Sequence, residues 1–217
     1  DQLLAGANAV LGPHDRLGLA VQVKNEGDWS PWFEFVTFSR SGERASVKGQ
    51  QNAFGRMDID TLVLSSKNRY LRYRVTLTAE AGSQAFLRLV SVTYTDTTAP
   101  YNEAFAVKKP AAFKPVRLDV PAVSQMTQQV NYSKDICSPA SLTMVLNRFG
   151  LKARVLDTAA GVRDAAENIY GNWTFNTMYA GALGLYAWPA RFDSLEEAAQ
   201  YLAAGIPLVA SVTFGPD

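Results

Sequence analysis

The stretch Ser124–Gly150, SQMTQQVNYSKDICSPASLTMVLNRFG, decides how the second half of the chain is interpreted. It contains the only cysteine of the 217-residue sequence, Cys137, directly before a helical pattern. After Ser138, apolar residues recur at the i, i+3, i+4 and i+7 spacing of a helix face: Leu142, Val145, Leu146 and Phe149. Pro139 suits a first helical turn, and Gly150 suits the position just after a helix. The stretch therefore predicts a helix that begins next to the cysteine.

A cysteine at this position is suited to nucleophilic chemistry. The first turn of a helix presents unpaired N–H groups and about half a positive charge, which stabilise a thiolate. Acyl transfer also needs hydrogen-bond donors for the oxyanion, and the candidates are the backbone N–H of Cys137 and the side-chain amide of Gln125. A lone cysteine is more often a small buried apolar residue, so its position alone leaves both interpretations open.

Residues 1–98 have the pattern of an all-β domain. The segment LGLAVQV places Leu17, Leu19, Val21 and Val23 on one face, and YLRYRVTLT alternates in the same way. Turn-forming residues separate these short runs, which is typical of an antiparallel β-sandwich. We therefore expect a β-sandwich accessory domain over residues 1–98.

The remaining chain predicts a linker and a helical domain. Residues 99–119 are rich in proline and are expected to form an extended linker. Residues 120–217 are expected to form an α+β domain with helices after Cys137, over 157–169, over 174–183 with Thr174 as the N-cap, and from Ser194 to Gly205. The run LVASVTF, residues 208–214, predicts one buried strand.

Composition excludes several classes of protein. The net charge is +1 with mixed signs, so nucleic acid is not an expected partner. No apolar run approaches the length of roughly 18 residues that a membrane span requires. One cysteine and one histidine do not make the usual zinc sites, and we expect no metal and no organic cofactor.

Several motifs recur in the order seen in a known peptidase family. They are the Gln125 segment, Cys-Ser-Pro-Ala-Ser at 137–141, Tyr-Gly-Asn-Trp at 170–173, Phe-Asp-Ser-Leu at 192–195 and Gly-Ile-Pro at 205–207. In these motifs the chain resembles the bacteriocin-leader-processing type of papain-like cysteine peptidase (cysteine peptidase family 39 type), and more closely its secreted bacterial branch. Ser138 stands where that family often has glycine.

The resemblance implies roles for the two candidate residues. Cys137 would be the nucleophile, Gln125 would help to form the oxyanion hole, and the substrate would be a peptide or a peptide-like amide. It also implies a bacterial protein that is secreted or held at the cell surface, and a partial α+β papain-like domain after the β-sandwich.

The catalytic histidine of that family comes after the segment matched here. The chain has one histidine, His14, in the turn-like stretch GPHDR. Three explanations stay open: the chain is a fragment, it is an inactive relative, or His14 completes the site. We expect a fragment that is inactive because it lacks the histidine base, since the strand at 208–214 needs a neighbouring strand to pair with.

A second function remains open for the β-sandwich. Trp29 and Trp32 in GDWSPWFEF lie beside an acidic turn, and flat aromatic faces suit sugar rings. The alternative to a peptidase is therefore a non-catalytic cell-surface protein that binds carbohydrate, such as cell-wall carbohydrate, or another protein. The more ordinary interpretation of both residues is packing within the sandwich.

Overall fold

The structure is a computed structural model that describes residues 1–42, 44–98, 115–192 and 194–211. It divides into two compact units. Unit 1 comprises Asp1–Pro100 and Ala159–Arg191, and unit 2 comprises Tyr101–Thr158 and Phe192–Asp217. The predicted domain boundaries, 1–98, 99–119 and 120–217, stay predictions, and residues 99–114 of the predicted linker lie outside the described residues.

Nine strands of unit 1 form two antiparallel sheets in the described part of the chain. The first sheet has the order β5-β6-β7-β1-β9, and the second has the order β4-β3-β2-β8. The strands are β1 (Gln2–Val10), β2 (Arg16–Lys24), β3 (Phe33–Ser39), β4 (Ala45–Ser46), β5 (Gln51–Asn52), β6 (Gly55–Asp58), β7 (Thr61–Leu64), β8 (Tyr70–Thr78) and β9 (Phe86–Thr95). This confirms the predicted antiparallel β-region, and we call residues 1–98 the two-sheet region.

One apolar cluster draws side chains from both sheets. The four residues of β2 that alternate in the sequence are all buried, and three phenylalanines of β3 join them: Phe33, Phe35 and Phe38. Strand β8 differs from its prediction, since Leu71 and Tyr73 are 40% and 53% exposed. Val75 and Leu77, further along the same face of β8, do pack against the cluster, so only the second half of the strand is covered.

Four α-helices follow in the chain: α1 (Cys137–Arg148), α2 (Val155–Val162), α3 (Trp173–Ala182) and α4 (Leu195–Ala203). This confirms a helical C-terminal part. Helix α4 begins as predicted, because the Ser194 hydroxyl accepts a hydrogen bond from the Glu197 N–H at 3.1 Å. Among the described residues, no helix combines the length and the apolar character needed to cross a membrane.

Three predicted elements differ from the structure. Helix α3 is capped by Asn172, whose side chain accepts from the Phe175 N–H, and not by Thr174. Helix α2 ends at Val162, because the chain then turns and forms a bridge between Asp164 and Ile169. The predicted strand at 208–214 is absent over 208–211, where no described strand lies alongside, and its last residues, 212–214, lie outside the described ranges.

Candidate active site

Cys137 is the first residue of α1, and its side chain is an exposed free thiol. The N-cap residue is Ile136, which is fully buried, and in the described structure no side chain caps this end of the helix. The first intrahelical bond runs from the Ala140 N–H to the Ile136 carbonyl at 3.0 Å. The N–H groups of Cys137 and Ser138 therefore come before the first hydrogen bond within α1, as expected at an open helix end.

Helix α1 is anchored by the face that carries Thr143. The hydroxyl of Thr143 donates to the Pro139 carbonyl and contacts the Thr158 hydroxyl, both at 2.8 Å. Leu142 and Leu146 are buried beside it. This buried face fixes the rotation of the helix and leaves Cys137 facing solvent. The sequence pattern predicted Leu142 and Leu146 on that face but not the buried pair of threonines, and Phe149, predicted on the same face, lies past the end of the helix and is 50% exposed.

Gln125 is the first residue of a short 3-10 helix, Gln125–Thr127, which Ser124 caps. Its amide nitrogen Nε2 donates to the carbonyls of Ser133 and Lys134, at 3.1 Å each. An amide nitrogen has two hydrogens, so both are engaged in this conformation. The structure thus ties Gln125 to the segment that leads into Cys137, and sequence reasoning missed these two carbonyl partners because no local pattern marks them.

A role for His14 as the base of this site stays a prediction. His14 lies in unit 1, whereas Cys137 and Gln125 lie in unit 2. The sequence contains one histidine. Within the described ranges, no group of three or more His, Cys, Asp or Glu side chains is arranged to hold a metal ion.

A groove of about 410 Å³ lies within unit 2. One wall is α1, through Ser141, Met144 and Val145, and the others are residues 116–120 and 207–210. Ser141 follows Cys137 by four residues, so the two share one face of the helix. The groove therefore begins about one helical turn from the thiol.

The two tryptophans proposed for carbohydrate binding are covered by cationic side chains. The Arg72 guanidinium lies 4.4 Å from the ring centre of Trp29, and that of Arg74 lies 4.5 Å from the ring centre of Trp32. Both rings are half-buried. Cation–π contacts of this kind stabilise the surface of a sheet, and they occupy one face of each ring. Carbohydrate binding at Trp29 and Trp32 stays a prediction.

Comparison with known proteins assigns both halves of the chain. Residues 117–216 match the model of the Peptidase_C39 like family, and residues 1–96 match the model of a Peptidase C39 N-terminal domain. No curated protein and no solved structure matches the chain. The first match contains Cys137, Gln125 and, apart from Val116, the residues that line the groove of unit 2.

Proposed function

We propose that this chain is a cysteine peptidase that acts through Cys137, because residues 117–216 match the Peptidase_C39 like family and residues 1–96 match a Peptidase C39 N-terminal domain. The observation that carries the proposal is the exposed thiol at the uncapped N-terminus of α1, within the family match. Its substrate is a peptide or a peptide-like amide.

The reaction is amide hydrolysis in two steps. The Cys137 thiolate attacks the carbonyl carbon of the substrate, the C–S bond forms, and the C–N bond breaks as the amine leaves with a proton. Water then hydrolyses the thioester and releases the acid. In both steps the proposed donor to the oxyanion of the tetrahedral intermediate is the backbone N–H of Cys137.

Gln125 is the proposed second donor of the oxyanion hole. Its amide now holds the carbonyls of Ser133 and Lys134, so it would exchange one of these contacts for the oxyanion. Because both carbonyls lie just before α1, the same contacts hold the loop that positions the nucleophile. Loss of one such donor typically costs a factor of roughly 10²–10³ in rate.

The proton transfers need a base that Cys137 and Gln125 do not provide. His14 is the one histidine of the sequence, and no observation places it beside Cys137. We therefore expect the 217 residues to turn over amides poorly, because an amine leaves only with a proton. By analogy with triads that have lost a member, the loss would be several orders of magnitude.

The groove of unit 2 is the proposed binding site for the substrate. It is lined mainly by apolar side chains and begins one turn along α1 from Cys137. An extended peptide with an apolar side chain on one side of the scissile bond would fit this arrangement. We propose further that residues 1–98 form a β-sandwich, that the peptidase part is papain-like, and that the protein acts outside the cell.

Thiol reactivity tests the proposal without requiring a complete catalytic site. Iodoacetamide should alkylate Cys137 about tenfold faster than it alkylates an ordinary exposed cysteine, because the unpaired N–H groups of the open helix end attract negative charge on the sulfur. The matched control is a Cys137→Ala variant that carries Ser66→Cys, since Ser66 is exposed in a turn. Equal labelling rates for the two proteins would contradict the proposed nucleophile.

A further inference from the structure

The compact units do not follow the boundary between the two family matches. Residues 159–191 lie within the peptidase-like match, 117–216, yet they belong to the same unit as the two-sheet region. This segment contains α3, a helix of ten residues. Isolated helices shorter than about 12–15 residues are marginal in water, so α3 depends on its packing partners.

The apolar residues of α3 are part of the core of the two-sheet region. Phe175 and Met178 are 0% and 2% exposed and belong to the cluster that also contains the buried residues of β1, β2 and β3. The Phe175 ring stacks on Phe38 of β3, with 6.3 Å between the ring centres. The cluster is therefore incomplete without α3.

Strand β1 holds the segment through a buried asparagine. The Asn8 side chain accepts from the Ala187 N–H at 2.8 Å and donates to the Ala187 carbonyl at 2.9 Å, which copies the pairing of two backbones. Its amide also reaches the Thr177 carbonyl at 3.3 Å. The register of β1 against β9 shifts directly after Asn8, a bulge of the kind that redirects a side chain.

The first part of segment 159–191 is also held to the two-sheet region by hydrogen bonds. The Asp164 carboxylate accepts from the Ser46 N–H at 3.1 Å, and the Ala165 N–H donates to the Arg44 carbonyl at 2.8 Å. The buried Asp60 carboxylate accepts from the Trp173 N–H, the first donor of α3, at 2.7 Å. These contacts fix 164–173 at points spread over the first half of the chain.

Glycine permits the close approach of α3 to β1. A methyl group added at Gly181 would lie 2.7 Å from Cβ and 2.7 Å from Nδ2 of Asn8, closer than side chains pack. On β1, a methyl group added at Gly6 would lie 3.3 Å from the Thr177 hydroxyl and from Pro189. Alanine is the better helix former, so the benefit of glycine at position 181 lies in docking.

We propose that residues 1–96 act as an obligatory intramolecular folding partner of the peptidase-like segment, so that 159–191 adopt their structure only on the two-sheet region. The surface that accepts them is formed by β1, β3 and the residues around Asp60. The partner that this surface fits is a short helix with apolar residues on one side and glycine at the closest approach. A detachable accessory module would not share its core in this way.

The first test asks whether a glycine substitution in the full chain raises or lowers Tm. Gly181→Ala should lower Tm by on the order of 5 °C, because the added methyl group overlaps Asn8. The control is Gly171→Ala, since nothing lies within 4 Å of a methyl group there, and its Tm should not change. A Tm equal to or above that of the wild type for Gly181→Ala would overturn the proposal, because an undocked helix gains from alanine.

The second test is hydrogen exchange of the wild-type full chain, followed by mass spectrometry. If α3 and β1 form one cooperative unit, amides of 173–182 and of 2–10 should have protection factors within about tenfold of each other. Exchange of α3 far faster than that of β1 would overturn the proposal. Neither test measures activity, so their outcome is separate from that of the proposed peptidase.

Discussion

Replacement of Phe175 by alanine measures how far α3 contributes to the stability of unit 1. The Phe175 ring is fully buried and stacks on Phe38. Its loss removes about 2–3 kcal/mol of apolar transfer free energy and leaves a cavity whose cost is of similar size. We therefore expect Phe175→Ala to lower the free energy of unfolding by about 4 kcal/mol, about a thousandfold in the unfolding equilibrium.

The assay should report on the strands as well as on the helix. Urea unfolding followed by circular dichroism gives the overall change, and hydrogen exchange of β1, β2 and β3 gives the change in each strand. The matched control is Phe86→Ala, because Phe86 is 52% exposed and its truncation should cost less than about 1 kcal/mol. If Phe175→Ala cost no more than Phe86→Ala, or left strand protection unchanged, α3 would not be part of the core.

Three further predictions concern buried polar groups and the site. Burial raises the pKa of Asp60, so the contribution of this carboxyl to stability is present below its unfolded pKa of about 4 and is lost as pH rises through the higher folded-state pKa. Asp60→Asn should therefore be more stable than the wild type at neutral pH, with the difference shrinking toward pH 4 in chemical denaturation, and a difference that stays constant over this range would contradict the prediction. Asn8→Ala should lower the free energy of unfolding by about 2–3 kcal/mol, because it leaves the partly buried N–H and carbonyl of Ala187 without their side-chain partner, whereas Asn25→Ala at an exposed bend should change it by less than about 0.5 kcal/mol. Gln125→Ala should slow acylation of Cys137 by roughly 10²-fold in stopped-flow measurements, and an unchanged rate would remove Gln125 from the oxyanion hole.

Elements with complete local signals could be predicted from the sequence. Helix α4 has a capping serine and a terminal glycine, Gly205, whose φ of 81° suits that residue type. Helix α1 has Pro139 in its first turn and Gly150, with φ of 79°, just past its end. The alternating residues of β2 predicted its buried face because the period of a strand is two.

The start of α3 could not be predicted, because distant residues decide it. Thr174 and Asn172 are both good N-cap residues in isolation. The Thr174 hydroxyl donates instead to the Ala5 carbonyl at 2.8 Å, and Asp60 takes the first N–H of the helix. No local pattern contains these partners, since Ala5 and Thr174 are far apart in the chain.

The candidate site also has one part that the sequence predicts and one part that it does not. The position of Cys137 at a helix start follows from the apolar spacing after Ser138 and from Pro139. The contacts of Gln125 with the carbonyls of Ser133 and Lys134 depend on the path of an irregular loop, which has no periodic signal. The roles of Cys137 and Gln125 in catalysis stay predictions that rest on the family.

Acylation by an activated ester tests the proposed nucleophile most directly. A peptide p-nitrophenyl ester releases a leaving group that needs no proton, so the reaction does not depend on a histidine. We predict a burst of one equivalent of nitrophenolate and a matching mass increase on the peptide that contains Cys137, both absent in Cys137→Ala. No burst, or acylation that persists in Cys137→Ala, would contradict it.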